Sequence, residues 1–482
     1  MIDENIKSKT ISSLLWKLSE RTASQLVNFI IAIILARLLT PSDYGVLAIL
    51  LVFIAIGDTF VNAGFGNALI QKKNADDLDF SSVFYCSFIF SIFVYIVFYF
   101  GAPTIAYFYD MPLLETTLQV LALRIPIAAI NSVQQAYVSR NMQFKKIFYS
   151  TLTGVGASAI LGITLAYCGF GVWALVVQNL SNALVNTVVL FCVITWRPKL
   201  IFSFERLKSL FSYGWKILLS GLIDTSYKSL NTMLIGKFYT SIDLAFFENG
   251  KKFPLVIVNN INTSISSVLF PALASEKDEI VKVKKHVRKV LQISSYIMWP
   301  MMFCLAVCAD NIISIVLTDK WLPAVPYLQI ACITYGLWPI HTANLQSINA
   351  IGRSDIILKL EIIKKTIGIA VLLISIQYDV LTVALSGIVT GIIGTVINSY
   401  PNGYLLKYKY HEQINDMFPS FLISALVAGV VVVINYYFGF NRSLFSLVTN
   451  IIIFIILYVI FSKILKIQAF EFLLKEIKNT KF

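Results

Sequence analysis

Eleven ionisable side chains stand inside long apolar runs, where a charge costs about 2.5–3.5 kcal/mol at a helix centre. The bases are Lys17, Arg21, Arg124, Lys216, Lys228, Lys251 and Lys252; the acids are Glu20, Asp58, Asp224 and Glu248. Their spacing places them on shared helical faces. Lys17, Glu20, Arg21, Ser24, Gln25 and Asn28 recur at three and four residues, and Lys216, Ser220, Asp224 and Lys228 at every fourth. Asp58 is followed by Asn62, Arg124 by Asn131, Gln134 and Gln135, and Lys252 by Asn259, Asn260 and Asn262. Seven bases against four acids leave a surplus of three positive charges. Forked guanidinium donors and compact ammonium groups in excess suit an anionic guest such as a diphosphate. The carboxylates suit pairing with those bases or carrying a coupling proton or cation. Two simpler roles stand beside these: Lys17 and Lys216 lie near span ends where a lysine snorkels, and Asp224 with Lys228 has the spacing of a self-neutralising pair. Arg21, Asp58, Arg124 and Lys252 sit deeper and are expected to face a cavity.

The elements that must hold these residues are membrane helices. Of the 482 residues 57% are hydrophobic and 13% charged, about half the charge of an average soluble domain. The apolar runs, as in 82–100, 421–437 and 444–462, are long and uninterrupted, so helices rather than barrel strands are expected. Turn residues divide the chain into about fourteen spans: 12–39, 44–70, 81–101, 115–138, 147–168, 172–195, 209–236, 242–272, 289–316, 324–350, 357–377, 380–406, 417–438 and 444–464. Pro126, Pro254, Pro271, Pro300 and Pro339 mark expected kinks or boundaries. No cleavable signal segment is expected at the polar N-terminus.

The net charge of +13 follows the connections. Every second connection is basic, from Lys72 and Lys73, through Arg140, Lys145 and Lys146, then Arg197, Lys199, Arg206 and Lys208, to Lys277–Lys289, Arg353, and Lys407 with Lys409. The tail adds Lys463, Lys466, Lys475, Lys478 and Lys481, while the alternate connections hold little beyond Lys237, Lys320 and Arg442. This pattern places both termini in the cytoplasm and assigns the basic balance to topology and anionic lipid, not to nucleic acid. The Lys-rich stretch 277–289 reads as a solvated loop or surface helix. The six cysteines read as small buried hydrophobes without metal-ligand spacing. His341 reads as a satisfied polar residue, and Glu361 with Lys364 and Lys365 as a structural pair.

Three short matches suggest duplication. Thr40 and Asp43 recur as Thr240 and Asp243, Trp16-Lys17 as Trp215-Lys216, and Leu118-Gln119 as Leu328-Gln329. Two six-helix lobes follow, over 1–200 and 201–410, with 411–482 as a C-terminal helix pair and basic tail. The charges concentrate in spans one, two, seven and eight, which are equivalent helices of the two lobes, and are expected to line one net-basic cleft. Spans three, five, six, thirteen and fourteen, nearly free of charge in their middles, read as lipid-facing or structural.

Three segments carry a family resemblance. Ala36-Arg37-Leu38-Leu39-Thr40-Pro41-Ser42-Asp43-Tyr44-Gly45-Val46-Leu47, the stretch from Gly64 to Lys73 continuing to Tyr85, and Tyr137-Val138-Ser139-Arg140-Asn141-Met142-Gln143-Phe144 resemble bacterial polysaccharide-transporter flippases, in the colanic-acid and teichuronic-acid exporter branch. The resemblance implies the multidrug/oligosaccharidyl-lipid/polysaccharide exporter superfamily, with two six-helix lobes around a central cavity. It implies translocation of an undecaprenyl-diphosphate-linked oligosaccharide to the outer leaflet of the bacterial plasma membrane, for O-antigen, capsule or exopolysaccharide. Asp43 and Gly45 match its first loop and are structural. No Gly-x-x-x-x-Gly-Lys-Ser/Thr run is present. No cofactor is therefore expected, and the energy is expected from an H+ or Na+ gradient, the membrane potential, or consumption of product by polysaccharide polymerase machinery. A polymerase or ligase enzyme is disfavoured by the short external connections, and a cation-coupled drug exporter by the net-basic charge. A lipid II flippase is the remaining alternative.

Overall fold

The computed structural model describes residues 2–62, 66, 69–70, 72, 75–276, 279–438 and 442–479. Gly64, Phe65, Asn67, Ala68, Gln71 and Lys73 of the second family segment, and Lys277 and Lys481 of the basic stretches, lie outside the described residues. Among those described, every regular element is helical. The first half of the chain forms α1 (Ile2–Leu38), α2 (Pro41–Asn62), α3 (Asp77–Tyr109), α4 (Leu113–Leu121), α5 (Arg124–Arg140), α6 (Phe144–Tyr167), α7 (Val172–Val193), α8 (Phe204–Phe238) and α9 (Ser241–Ser275). The second forms α10 (Ile280–Val307), short turns over 309–324, α11 (Val325–Gly336), α12 (Trp338–Ala350), α13 (Ser354–Ser375), α14 (Val380–Leu405), α15 (Tyr410–Phe438), α16 (Leu444–Ile464) and α17 (Gln468–Asn479).

Ten stretches among the described residues are long and apolar enough to cross a membrane. The four expected spans outside that set are the seventh, eighth, tenth and eleventh. Charge accounts for two of them: α8 carries Lys216, Asp224 and Lys228 near its middle and α13 carries Lys359, Glu361, Lys364 and Lys365, whereas α9 confines Glu248, Lys251 and Lys252 to its first third and follows them with Asn259, Asn260 and Asn262. The tenth span is broken, α11 and α12 parting at Leu337, two residues before Pro339. The fourth span breaks likewise, between α4 and α5, two residues before Arg124 and four before Pro126. Polar side chains cap several helix starts. Asp76 and Asp79 form a reciprocal capping box on α3, and Ser203, Asp379 and Ser443 each accept the backbone N–H three residues on.

The duplication is visible in hydrogen bonds. Thr40 and Asp43 bond reciprocally at the start of α2, and Thr240 and Asp243 repeat the arrangement at the start of α9. Gln119 Nε2 donates to the Tyr99 carbonyl, and Gln329 Nε2 to that of Ala306. The turn after α5 closes through Met142 at φ 54°, and the turn after α12 through Gly352 at φ 82°. Both turns use the same backbone bonds, with Gln143 N–H to Val138 O in one and Arg353 N–H to Ile348 O in the other. No residue identity reveals that last match, since a methionine takes the left-handed position that a glycine takes in its counterpart.

The chain divides into two compact units, Met1–Ala245 and Phe246–Phe482. In the first, α2 runs along α8, joined by Thr59 Oγ1 to Thr225 Oγ1 at 3.0 Å, and its start meets that of α9 through Ser42 Oγ to Ser241 Oγ at 3.0 Å. Gly45 permits this, because a Cβ there would lie 1.8 Å from the Ser241 carbonyl oxygen. In the second, α15 packs along α10. Its Phe421 packs on Trp299 and Phe303 of α10. The Lys-rich start of α10 is a surface helix with Lys282, Lys285 and Arg288 exposed, and it is tied to α15 where Lys284 pairs with Glu412 at 2.8 Å and Arg288 with Asp416 at 2.7 Å. Tyr408 donates to Asp416 at 2.7 Å, and burial pushes its hydroxyl well above the usual tyrosine range. All six cysteines are free, and Cys168 and Cys192 are exposed where burial was expected.

Candidate functional site

The first unit holds a half-open polar cavity of about 640 Å³ among α1, α2, α5 and α7. Its wall is built by close helix approaches. On α6, Gly154, Ser158 and Gly162 form a small-residue stripe at every fourth position, the pattern that lets membrane helices approach. A Cβ at Gly154 would lie 3.0 Å from Asn186 Cβ, and one at Gly162 would lie 2.9 Å from Gln178 Cβ. Contact with that stripe presses α7 close and sets its rotation. Ser158 Oγ then accepts from Asn182 Nδ2 at 3.4 Å, and Asn179, Asn182, Asn186 and Thr187 line the cavity. On the opposite wall, a Cβ at Gly57 would lie 2.5 Å from Ile125 Cδ1. The missing side chain brings α2 against the start of α5, where Asp58 meets Arg124.

Arg124 Nη2 lies 3.1 Å from Asp58 Oδ2, with a fifth to a third of each side chain exposed. Arg124 is the first residue of α5, at the break in the fourth span, so a discontinuous helix delivers a charge to the cavity. Beyond it, Gln135 Nε2 donates to Asn131 Oδ1 at 2.5 Å, and Asn131 Nδ2 to Thr187 Oγ1 at 3.1 Å. Asn28 of α1 and Ser132 of α5 complete the polar lining. Two buried acceptors of this wall, Asp58 Oδ1 and Asn186 Oδ1, receive no hydrogen bond among the described residues. Each such atom costs about 1–3 kcal/mol unless water or a guest donates to it.

Of the eleven ionisable candidates, this cavity gathers Asp58 and Arg124. Lys17 pairs with Glu20 at 3.1 Å on α1. Lys17 and Arg21 lie 11 and 7 residues before Asn28, near the same face and about 16 and 10 Å along the axis at 1.5 Å per residue. Asp224 pairs with Lys228 at 2.6 Å on α8, where Lys216 is exposed. In the second unit Glu248 pairs with Lys251 at 2.9 Å, the Lys251 ammonium sits 4.0 Å from the Phe247 ring centroid, and Lys252 donates to Asn249 Oδ1 at 2.7 Å. Each of these four carboxylates thus has a basic partner, and the Asp58–Arg124 pair leaves the cavity between α2 and α7 formally neutral. His341 lies 2.9 Å from Asn398 Nδ2, and Glu361 pairs with Lys364.

A search led by charge misses Asn179, Asn182 and Asn186, on the span read as lipid-facing or structural. Their signal is present in the sequence: amides at i, i+3 and i+7 on an otherwise apolar helix, at a cost only a shared polar face offsets.

Comparison with known proteins gives four likenesses. Residues 34–326 match the model of the family described as polysaccharide biosynthesis protein. The chain is 23% identical over 380 residues to the lipopolysaccharide biosynthesis protein WzxC of Escherichia coli, spanning 77% of this chain and 76% of that one. It is 21% identical over 353 residues to the succinoglycan biosynthesis transport protein ExoT of Rhizobium meliloti, spanning 73% and 72%. Its fold is similar to that of the lipid II flippase MurJ in an inward closed conformation, with a TM-score of 0.76 at 17% identity over 94% of this chain and 98% of that one.

Proposed function

Because this chain belongs to the polysaccharide biosynthesis protein family, we propose that it is a flippase, carrying an undecaprenyl-diphosphate-linked oligosaccharide from the cytoplasmic to the outer leaflet of a bacterial plasma membrane. The observation that carries this reading is the 640 Å³ polar cavity walled by membrane helices. A structural role would fill such a space with interlocked side chains, because unoccupied polar surface away from water is costly. A hydrated, polar headgroup has to find such a path, while its polyprenyl tail needs none. The alternation of Lys/Arg-rich with Lys/Arg-poor connections supports cytoplasmic termini.

The cycle runs by alternating access and serves O-antigen, capsule or exopolysaccharide synthesis. An H+ or Na+ gradient drives it, with Glu20, Asp58, Asp224 and Glu248 as the carboxylates available for coupling. The chemistry of translocation makes and breaks no bond, so no enzyme activity is assigned. The substrate meets anionic lipid on the basic side and polymerase machinery on the other.

The test is direct. Purified protein in vesicles is expected to expose a fluorescent undecaprenyl-diphosphate oligosaccharide to an outside quencher, faster under one imposed ion gradient than without it. A flat time course under every gradient overturns the proposal. Faster movement of lipid II than of the oligosaccharide lipid would reassign the substrate to the cell-wall precursor.

A further inference from the structure

We propose that the cavity inside the first unit is a saccharide subsite, reading the neutral hydroxyls of the glycan, while the diphosphate is held outside it on the basic face of α1. The inference rests on the transport reading above and adds a division of labour within it.

The lining carries six carboxamides (Asn28, Asn131, Gln135, Asn179, Asn182 and Asn186), one serine, one threonine and one ion pair. A carboxamide offers two donors and an acceptor, so adjacent amides match adjacent sugar hydroxyls, each of which both donates and accepts. A flat apolar guest finds little to rest on there, since no aromatic side chain lines the cavity among the described residues. Size agrees. About 640 Å³ holds two to three hexose rings, each displacing roughly six waters at about 30 Å³ apiece.

The charge of the lining decides against the diphosphate. A diphosphate presents acceptor oxygens and negative charge, which the Asp58 carboxylate repels, and Arg124, 3.1 Å from that carboxylate, leaves the cavity formally neutral. On α1, by contrast, Lys17, Glu20 and Arg21 together carry one net positive charge. The α1 face leading away from Asn28 carries Arg21 and Lys17 at one- and two-turn steps beyond Gln25, a distance of about 10–16 Å that a bound sugar or two spans before the diphosphate begins.

Two lipids test this with the full chain in nanodiscs: undecaprenyl diphosphate alone, and the same lipid bearing a neutral hexose trisaccharide. Wild-type protein is expected to bind the trisaccharide lipid at least tenfold more tightly. Asn182→Ala combined with Asn186→Leu is expected to remove that advantage and leave undecaprenyl diphosphate binding within twofold, which also reports that the variant is folded. Arg21→Gln is expected to weaken both lipids together. Equal affinity of wild type for the two lipids overturns the subsite. So does an undiminished advantage in the amide variant, or an equal loss of both lipids at an unchanged unfolding midpoint, which would put the diphosphate in the cavity. Should the midpoint fall, Asn179→Ala makes the same comparison, its amide being bonded to Leu175 O of its own helix. None of these outcomes touches the vesicle assay, so failure of the subsite and failure of transport are separate results.

Discussion

Each unit holds a cluster of amides within its helices, and the two clusters are put to opposite use. In the second unit Asn344, Asn402 and Gln413 are almost wholly buried and bond one another. Asn344 Oδ1 accepts from Asn402 at 2.6 Å and Gln413 at 3.1 Å, Gln413 Oε1 accepts from Asn344 at 2.7 Å and Ser399 at 3.0 Å, and Asn402 also reaches Ser347 Oγ at 2.8 Å. Of these amide oxygens only Asn402 Oδ1 lacks a donor among the described residues. In the first unit a comparable set stands around an open volume. The same side chains therefore act as glue where their capacity is used on each other, and as a binding wall where geometry holds them apart. What holds them apart is the stripe Gly154–Ser158–Gly162, which fastens one edge of α7 and leaves the other facing space.

The comparison is most exposed at Gln413. Gln413→Leu keeps the volume but strips partners from Asn344, Ser399 and the Tyr408 carbonyl, at about 1 kcal/mol for each group left short. We expect a loss of about 3 kcal/mol, read as a lowered unfolding midpoint, with transport falling only as far as folded protein falls. A stable but inactive variant would mean that the network is a second functional site.

Next comes the ion pair. Arg124→Gln leaves the partly buried Asp58 without its base and is expected to cost about 1–3 kcal/mol, between exposed and fully buried pairs. Adding Asp58→Asn is expected to restore most of the stability. Transport separates the roles: recovery in the double variant makes the pair structural, whereas continued loss assigns a charge to the cycle. Single and double variants in one thermal and one flux series give the answer.

The smallest effect lies at a helix end outside both clusters and sets the scale against which cavity variants count as neutral. Asp379 accepts the Thr382 N–H at 2.6 Å, and hydrogen bonding to Thr382 holds its carboxyl below the usual range. A carboxyl lowered by folding stabilises in full above its unfolded value, and that contribution is lost as pH falls through its folded value. Asp379→Ala is expected to cost about 1 kcal/mol at pH 7, with the gap to wild type closing below about pH 4. An undiminished gap at pH 3 would assign the loss to something other than the cap.

Much was legible before folding. Long apolar runs demand helices because lipid offers backbone groups no other partner, and the helical class follows from composition. Arg124 and Asp58 were identifiable as cavity residues, because a charge inside an apolar run needs a partner or water. That they partner each other was not, since Gly57 and Ile125, which set the approach of α2 to α5, look like ordinary lipid-span residues. The matching turns around Met142 and Gly352 share backbone geometry without sharing a residue, so no sequence comparison of the halves shows them.

The sequence by itself determined the solvent, the helical class, the alternation of basic connections and the family, because each depends on counts and short-range order along one chain. Tertiary structure decided which polar residues face one another. Asn182 and Asn344 are the same chemical group at similar depth in apolar sequence. One lines a cavity and the other is locked in a network, and the difference lies in glycines and serines on neighbouring helices that set spacing and rotation, a relation between segments that no single span encodes.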